Sequence, residues 1–282
     1  WENGASPCLD DDLIFVSLNS STDSRNLAAF RAADGGVQWR SQAENATHST
    51  PVVCTIDGVR QVVFATKTGL VSLDRSTGAF LWKFTYPFGS IGTSLGASPV
   101  IHSNIVYCTG SYYGKGAAAA RVALSNNTWT ITQLYCKTNA PTYESIWMTP
   151  ICYRGHIYTL SGTSTAFLNQ PLACIELTTG TIKWTTNGFG KGGIILVNTN
   201  LLALTEKGEL VLFDPSPAAY TERARYQALR FNSSAPGKCW NNPAFSNGRI
   251  YARGTRGAVC LDVAVPAAPP LKLLSPQFLN RT

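Results

Sequence analysis

One stretch constrains this chain more than any other: GLVSLDRSTGAFLWKF, from Gly69 to Phe84. Leu70, Val71 and Leu73 form an apolar run that Asp74 closes, Ser76-Thr77-Gly78 supplies turn chemistry, and Phe80, Leu81, Trp82 and Phe84 open a second apolar run. Apolar and aromatic runs of this length, bounded by Asp, Ser and Gly, predict two short strands around a turn. The design recurs. NLAAFRAADGGVQWR (Asn26 to Arg40) turns at Gly35-Gly36 and ends in Trp39, and LACIELTTGTIKWTT (Leu172 to Thr186) turns at Gly180 and ends in Trp184. GELVLFDPSPAAYTERARY (Gly208 to Tyr226) rebuilds the turn with Pro215 and Pro217, and GAVCLDV (Gly257 to Val263) begins a further copy.

A second element precedes each copy: small residues and a proline, a short strand, a turn, another strand. Ala5-Ser6-Pro7, Ser49-Thr50-Pro51, Ala97-Ser98-Pro99, Met148-Thr149-Pro150 and Asn241-Asn242-Pro243 each start one, and Gly192-Gly193 starts a sixth without the proline. Proline suits the first residue of a strand, where no ladder donor is needed. Joined, the two elements give units of four short strands, A to D, beginning near Ala5, Ser49, Ala97, Trp147, Gly192 and Asn242. That spacing is roughly the 40–50 residues of a propeller blade. The fold expected is therefore all-β: a β-propeller of four-stranded antiparallel blades over residues 1–265, six of them readable, with a Pro-rich C-terminal tail at 266–282. Two separate sandwiches are the alternative. Ala117 to Ala120 is helix-friendly, but its setting fits a strand C.

The tryptophans fall into two sets. Trp39, Trp82 and Trp184 end the turn–strand motif, and Trp129, after Asn126-Asn127, is expected to do the same. These four are expected to dock between blades beside the turn, with Gly78 and Gly180 at the turns themselves. Trp1, Trp147 and Trp240 instead lie just before strand A, as does His48. There they either line a ligand funnel on the axis or plug it. Lys115 and Lys191 join this candidate site from the Gly-rich loops Tyr113 to Gly116 and Gly188 to Gly193, where amides and a lysine can meet an anion; tight loops between strands are the plainer reading.

Charged residues make up only 14% of the chain, with Ser, Thr, Asn and Gly in the surface role, and the net charge is +7. The basic residues are scattered, Arg223, Arg225 and Arg230 being the densest group, so no nucleic-acid partner is expected. No apolar run approaches the ~20 residues of a membrane span. The eight cysteines show no C-x-x-C spacing, which argues against zinc and thioredoxin-like sites. Their even number favours some disulfides in an oxidising compartment; buried thiols are the other reading, strongest for Cys108, Cys174 and Cys260. Sequons at Asn19, Asn45, Asn126, Asn232 and Asn280 fall in expected loops or the tail.

SLDRSTGAFLW (Ser72 to Trp82) and IELTTGTIKW (Ile175 to Trp184) resemble the tryptophan-docking repeat of the PQQ-like, quinoprotein-type β-propellers, and the likeness runs from Trp1 to about Val263. The chain looks most like exported bacterial PQQ-binding-like repeat proteins. That group includes dehydrogenases, outer-membrane assembly lipoproteins and exported proteins without assigned activity, so the resemblance implies fold more strongly than function. Its alcohol dehydrogenases hold the quinone against adjacent cysteines and a Glu-Asn-Asp set around calcium. This chain has no adjacent cysteines, and Asp57, Asp74, Asp214 and Asp262 lie at strand ends. PQQ with calcium is not expected as a cofactor, and no metal site is. Asp10-Asp11-Asp12 could take a hard cation, but its A–B turn position favours a solvated turn. His48, His102 and His156 lack ligand spacing.

The function expected is a non-catalytic exported propeller, extracellular or periplasmic. It acts as a scaffold or recognition module for a protein or glycan partner, or assembles with itself. A divergent quinoprotein dehydrogenase is the alternative. The resemblance also implies about two further blades before the point matching Trp1, completing an eight-bladed ring; otherwise a partner chain covers the open edges. Pairing of Leu271 to Phe278 as a last strand D would contradict that expectation.

Overall fold

The computed structural model describes residues 4–18, 24–45, 47–86, 95–111, 114–145, 147–161, 171–230 and 238–264. Six antiparallel sheets follow one another along the chain. Sheet one holds β1 (Cys8–Asp10), β2 (Leu13–Ser17), β3 (Leu27–Arg31) and β4 (Val37–Ser41). Sheet two holds β5 (Val52–Ile56), β6 (Val59–Thr66), β7 (Gly69–Asp74) and β8 (Phe80–Thr85). Sheet three holds β9 (Val100–His102), β10 (Ile105–Gly110), β11 (Gly116–Ser125) and β12 (Thr128–Lys137), and a single 3-10 turn, Pro141–Tyr143, leads onward. Sheet four holds β13 (Ile151–Tyr153), β14 (His156–Leu160), β15 (Leu172–Glu176) and β16 (Ile182–Thr186). Sheet five holds β17 (Gly193–Val197), β18 (Asn200–Leu204), β19 (Glu209–Phe213) and β20 (Glu222–Gln227). Sheet six has three strands among the described residues, β21 (Ala244–Ser246), β22 (Arg249–Gly254) and β23 (Gly257–Asp262). Leu271 to Phe278 lies outside the described residues, as do the sequons at Asn19, Asn232 and Asn280. Ala117 to Ala120 lies in β11 and is fully buried.

The meander follows from the turns. Asp74 Oδ1 accepts hydrogen bonds from the amides of Ser76 (3.0 Å) and Thr77 (2.8 Å), and Gly78 takes φ +71°, where a side chain would be strained. Type I′ geometry recurs at Asn126-Asn127, both at positive φ, which carries the sequon at Asn126. In sheets one to five the pairing of the third and fourth strands shifts register once, just after Ala29, Ser72, Ala119, Cys174 and Leu212. Such a bulge sharpens the local twist and bends the outer strand over its neighbour.

Apolar cores form between sheets. Phe15 and Trp39 of sheet one pack with Phe64 and Val71 of sheet two. Trp82 and Phe84 pack with Val106 and Ala118 of sheet three, Tyr107 and Tyr135 with Ile157 and Ile175 of sheet four, and Tyr158 and Cys174 with Val211 and Phe213 of sheet five. Leu202 and Leu210 then meet Ala252 of sheet six. First strands neighbour one another: β1 lies against β5, β9 against β13, and β13 against β17. This is the radial order of propeller blades, with the strand-A side innermost.

The residues opposite the bulge do the docking. Trp39 stands opposite Ala29, Trp82 opposite Ser72, Tyr135 opposite Ala119 and Trp184 opposite Cys174. Trp39 donates its indole N–H to the Arg75 carbonyl of the next sheet (3.0 Å) and lies so close to Gly78 that a Cβ there would sit 2.6 Å from its ring. Tyr135 meets Gly180 in the same way at 2.9 Å, and Trp184 donates to the Ser216 carbonyl at 2.8 Å. Trp82 differs: its indole N–H goes to Gln61 Oε1 of its own sheet (2.6 Å), which Ser72 also bonds. Trp129 pairs with Leu124 near the β11–β12 turn and packs, partly buried, against the core shared by sheets two and three, while the position opposite the bulge that docks on sheet four belongs to Tyr135.

All eight cysteines are free thiols, so the expected cross-links are not formed. For one pair the register gives the reason: Cys108 and Cys136 flank Ala118 across β11, two strand spacings or roughly 10 Å apart, beyond disulfide reach. The aspartate run is not a bare solvated turn either. Asp10 receives Arg60 and Arg75 (2.7 Å from Arg75 Nε), and Arg75 also reaches Asp12 Oδ1 at 2.8 Å.

Candidate functional site

Strand A starts on the inner side, so residues just before it converge. Backbone bonds fix them there: the Ser6 amide donates to Thr50 Oγ1 (3.1 Å) and the Ser98 amide to Thr149 Oγ1 (3.0 Å), tying sheet one to two and sheet three to four at equivalent places. Gly193 approaches Asn242 of sheet six so closely that a Cβ would lie 2.3 Å from its side-chain oxygen.

Within this ring the structure brings together Trp147, Lys191 and Trp240. The two indoles, from sheets four and six, meet with centroids 4.9 Å apart at 37°. Lys191 Nζ of sheet five lies 5.1 Å from the Trp240 ring centre. Lys238, which the sequence reading did not include, places its Nζ 4.3 Å from the same ring. Ammonium groups at such distances are held by the ring quadrupole.

Beneath this group sits Glu206, fully buried. Its Oε1 accepts the Trp240 indole N–H at 2.6 Å, and its Oε2 accepts the Lys191 backbone amide at 3.1 Å. The Gly-rich loop therefore does turn an amide toward a carboxylate, but one supplied by the chain itself. Gly190 makes room: at φ +64°, a Cβ would lie 2.4 Å from Glu206 Oε2. Glu206 follows β18 in the run Thr-Glu-Lys-Gly, which reads as an ordinary surface turn, so sequence gave no sign of it.

The other candidates lie elsewhere. His48 rests against Gly4, whose added Cβ would meet the imidazole at 3.1 Å. The Lys115 carbonyl accepts the Tyr86 hydroxyl, which ties Lys115 to the outer part of sheets two and three. Trp1 lies outside the described residues. His156 Nδ1 bonds the Arg154 carbonyl at 3.1 Å, within its turn. Among the described residues no three His, Cys, Asp or Glu side chains gather where they could hold a metal ion, and no helix is long and apolar enough to cross a membrane.

Two comparisons with known proteins place this architecture. Among solved structures the chain is similar to BamB from Moraxella catarrhalis, at 15% identity and TM-score 0.57, covering 92% of this chain and 69% of that one. It is also similar to quinohemoprotein alcohol dehydrogenase from Comamonas testosteroni, at 13% identity and TM-score 0.56, covering 89% of this chain and 51% of that one. The Cps50 (Swd1) β-propeller domain of Myceliophteria thermophila matches at 10% identity and TM-score 0.52, covering 93% of this chain and 84% of that one. At such identities the likeness establishes a shared fold, and the chain spans about half of the alcohol dehydrogenase. Comparison with curated proteins gives no match. The family model described as outer membrane protein assembly factor BamB matches residues 2–219, and the chain belongs to that PQQ-like β-propeller family.

Proposed function

We propose that this chain is a non-catalytic, exported propeller that binds a protein partner at the cell envelope. One observation carries the reading: the sheet faces at the two ends of the array are uncovered among the described residues. On sheet one the face turned away from sheet two carries Leu9 (66% exposed), Ile14, Val16 and Phe30, with Val37 (52% exposed) beside them. On sheet six Tyr251 is 42% exposed on a face that bears a groove of about 550 Å³, lined by Ala244, Tyr251, Ala258 and Cys260 with Asn242 and Arg253 at its rim. Exposed apolar surface rimmed by polar groups marks an interaction site. Similarity to a family described as an assembly factor supports a protein rather than a glycan partner. The low charge content and the lack of a spanning helix among the described residues fit an exported protein.

A photo-crosslinking residue at Leu9 or Tyr251, in envelope preparations, tests this. Adducts with one discrete partner are expected at both, and none at the exposed turn residue Asn126. Equal labelling at all three positions, or none, would overturn it.

A dehydrogenase is the second reading, favoured by the indole pair and two lysines near the axis. The residues present do not fit calcium-held quinone. No acidic set gathers there among the described residues, and Glu206 is engaged by Trp240 and Lys191. Stoichiometric uptake of quinone with calcium, together with dye-linked alcohol oxidation, would reverse the choice.

A further inference from the structure

From Lys191 to Ala264 the basic residues outnumber the acidic ones, and every carboxylate of that stretch is already engaged. Asp214 holds Arg223 (2.6 Å), Glu209 and Glu222 hold Arg225 (3.0 and 2.8 Å), Asp262 faces Arg249 at 3.7 Å, and Glu206 lies buried under Trp240. Arg230, Lys238, Arg253 and Arg256 are left without a carboxylate partner among the described residues. The sequence scatters these cations, and the fold gathers most of them. Arg230 and Arg256, joined by Lys207, line a pocket of about 300 Å³ between sheets five and six, and Lys238 flanks it. Arg253 stands apart, on the groove of the outer face of sheet six.

The pocket has an apolar floor of Ala228, Leu229, Cys239 and Val259. Cys239 is buried, and a Cβ on Gly254 would lie 2.8 Å from its Sγ and 3.8 Å from Leu229 Cδ1, so the floor is closed there. Backbone bonds pin both walls. The Ala228 and Leu229 amides bond the Gly208 carbonyl at 3.1 and 3.0 Å, and the Gln227 side-chain amide bonds the Lys207 and Leu229 carbonyls. Opposite, the Lys238 amide donates to Thr255 Oγ1 and the Thr255 amide to the Lys238 carbonyl, both at 3.0 Å. Arg230 and Arg256 thus stand on two fixed frames beside an apolar floor, and a concave site of that kind focuses their potential. No carboxylate lines the pocket among the described residues.

We propose that this pocket binds a phosphate monoester with an apolar body. The dianion engages Arg230 and Arg256, Lys207 and Lys238 add charge, and the body rests on Leu229 and Val259. Guanidinium forks match phosphate oxygens in pairs. A bare inorganic anion leaves the floor unused, and a nucleic-acid strand needs a long basic groove with successive stacking faces. A closed pocket of about 300 Å³ takes one head group. The proposal is independent of the partner reading above, since neither Leu9 nor Tyr251 lines the pocket.

Calorimetric titration of the full chain with phenyl phosphate tests it. Saturable binding at a single site is expected, about tenfold tighter than that of inorganic phosphate because the ring covers the apolar floor. Arg230→Gln and Arg256→Gln should each weaken it by at least about tenfold, the loss of a charge-assisted hydrogen bond. Arg253→Gln removes the same charge outside the pocket and should change it by less than about twofold. All three side chains are exposed, so the substitutions leave the packing intact. No saturable binding, equal weakening by Arg253→Gln, or equal affinity for inorganic phosphate would overturn the proposal. So would an oligonucleotide that displaces phenyl phosphate with an affinity rising with its length. Vesicles separate the two sources of such a phosphate. Retention of the parent chain, but not of Arg256→Gln, on phosphatidic acid vesicles and not on phosphatidylcholine alone assigns a lipid head group; any other vesicle result, alongside phenyl phosphate binding, assigns a soluble ester.

Discussion

Trp147 and Trp240 stack with ring centroids 4.9 Å apart although the whole of sheet five lies between them in the chain. Contact between sheets four and six over the top of five is possible only on the inner side of the array. Trp240 is held from below by Glu206 at 2.6 Å. Trp240→Phe keeps a ring and deletes the donor, leaving one oxygen of a buried carboxyl without it. The expected loss is about 1–3 kcal/mol, read by urea unfolding; an unchanged midpoint would count against the bond.

Trp82 is 1% exposed and packs against sheet three while bonding Gln61. Trp82→Ala should cost on the order of 3–5 kcal/mol, as for other buried aromatics. A thermal melt that matches the parent chain would contradict this placement.

Gly35 and Gly78 share nearly the same φ, +70° and +71°, but only Gly78 faces a docked indole. Gly35→Ala should cost roughly 1 kcal/mol, the strain of a left-handed alanine. Gly78→Ala should cost clearly more, because Trp39 must move. Equal midpoints for the two variants in denaturant would show that Trp39 does not rest there.

Asp10 is held below the usual carboxylate range chiefly by its hydrogen bond from Arg60; burial opposes this, and the hydrogen bond from Arg75 and the charges of both arginines add to the lowering. A depressed folded-state pKa gives stability that is present above the unfolded value of about 3.9 and is lost as pH falls through the folded one. The chain should therefore weaken as pH drops from about 4 downward. Asp10→Asn should be less stable at neutral pH and show a flatter acid slope. Parallel curves for the two proteins would assign the acid sensitivity elsewhere.

Burial pushes the Cys54 thiol up to about 12, and those of Cys152 and Cys174 up to about 11. Cys108, fully enclosed, is raised further for the same reason. Only the thiolate attacks a disulfide reagent. At pH 8, Cys136 and Cys260, both exposed, should react first, the half-buried Cys54 and Cys152 more slowly, and the buried Cys108 and Cys174 only on unfolding. Fast modification of Cys108 or Cys174 in folded protein would refute the packing described.

The sheets were legible because their signals are local. Asp74 and Gly78 make a turn from residues adjacent in the chain, and Trp39 and Trp184 stand at a fixed distance beyond such turns. Tyr135 was not legible. The β11–β12 hairpin runs ten residues on each side, so Trp129, which holds the expected spacing from the turn, stays near the turn and the docking position arrives later. The shared offset of Trp147 and Trp240 from Pro150 and Pro243 pointed to their meeting. Glu206 and Lys238 gave no such signal, since their roles depend on sheets five and six closing on each other. The grip of Arg75 on Asp10 and Asp12 crosses between sheets and likewise has no spacing to announce it.

Trp39, Tyr135 and Trp184 all reach forward, each resting on a turn that the ribosome makes later than the aromatic itself. Synthesis at about 5–20 residues per second leaves every such ring without its seat for seconds, until the following turn has emerged. Sheets one, three and four thus each show one unseated aromatic in turn, at the growing end. A chaperone that recognises single exposed aromatics would meet this chain as a moving target, handed from Trp39 to Tyr135 to Trp184 as elongation proceeds.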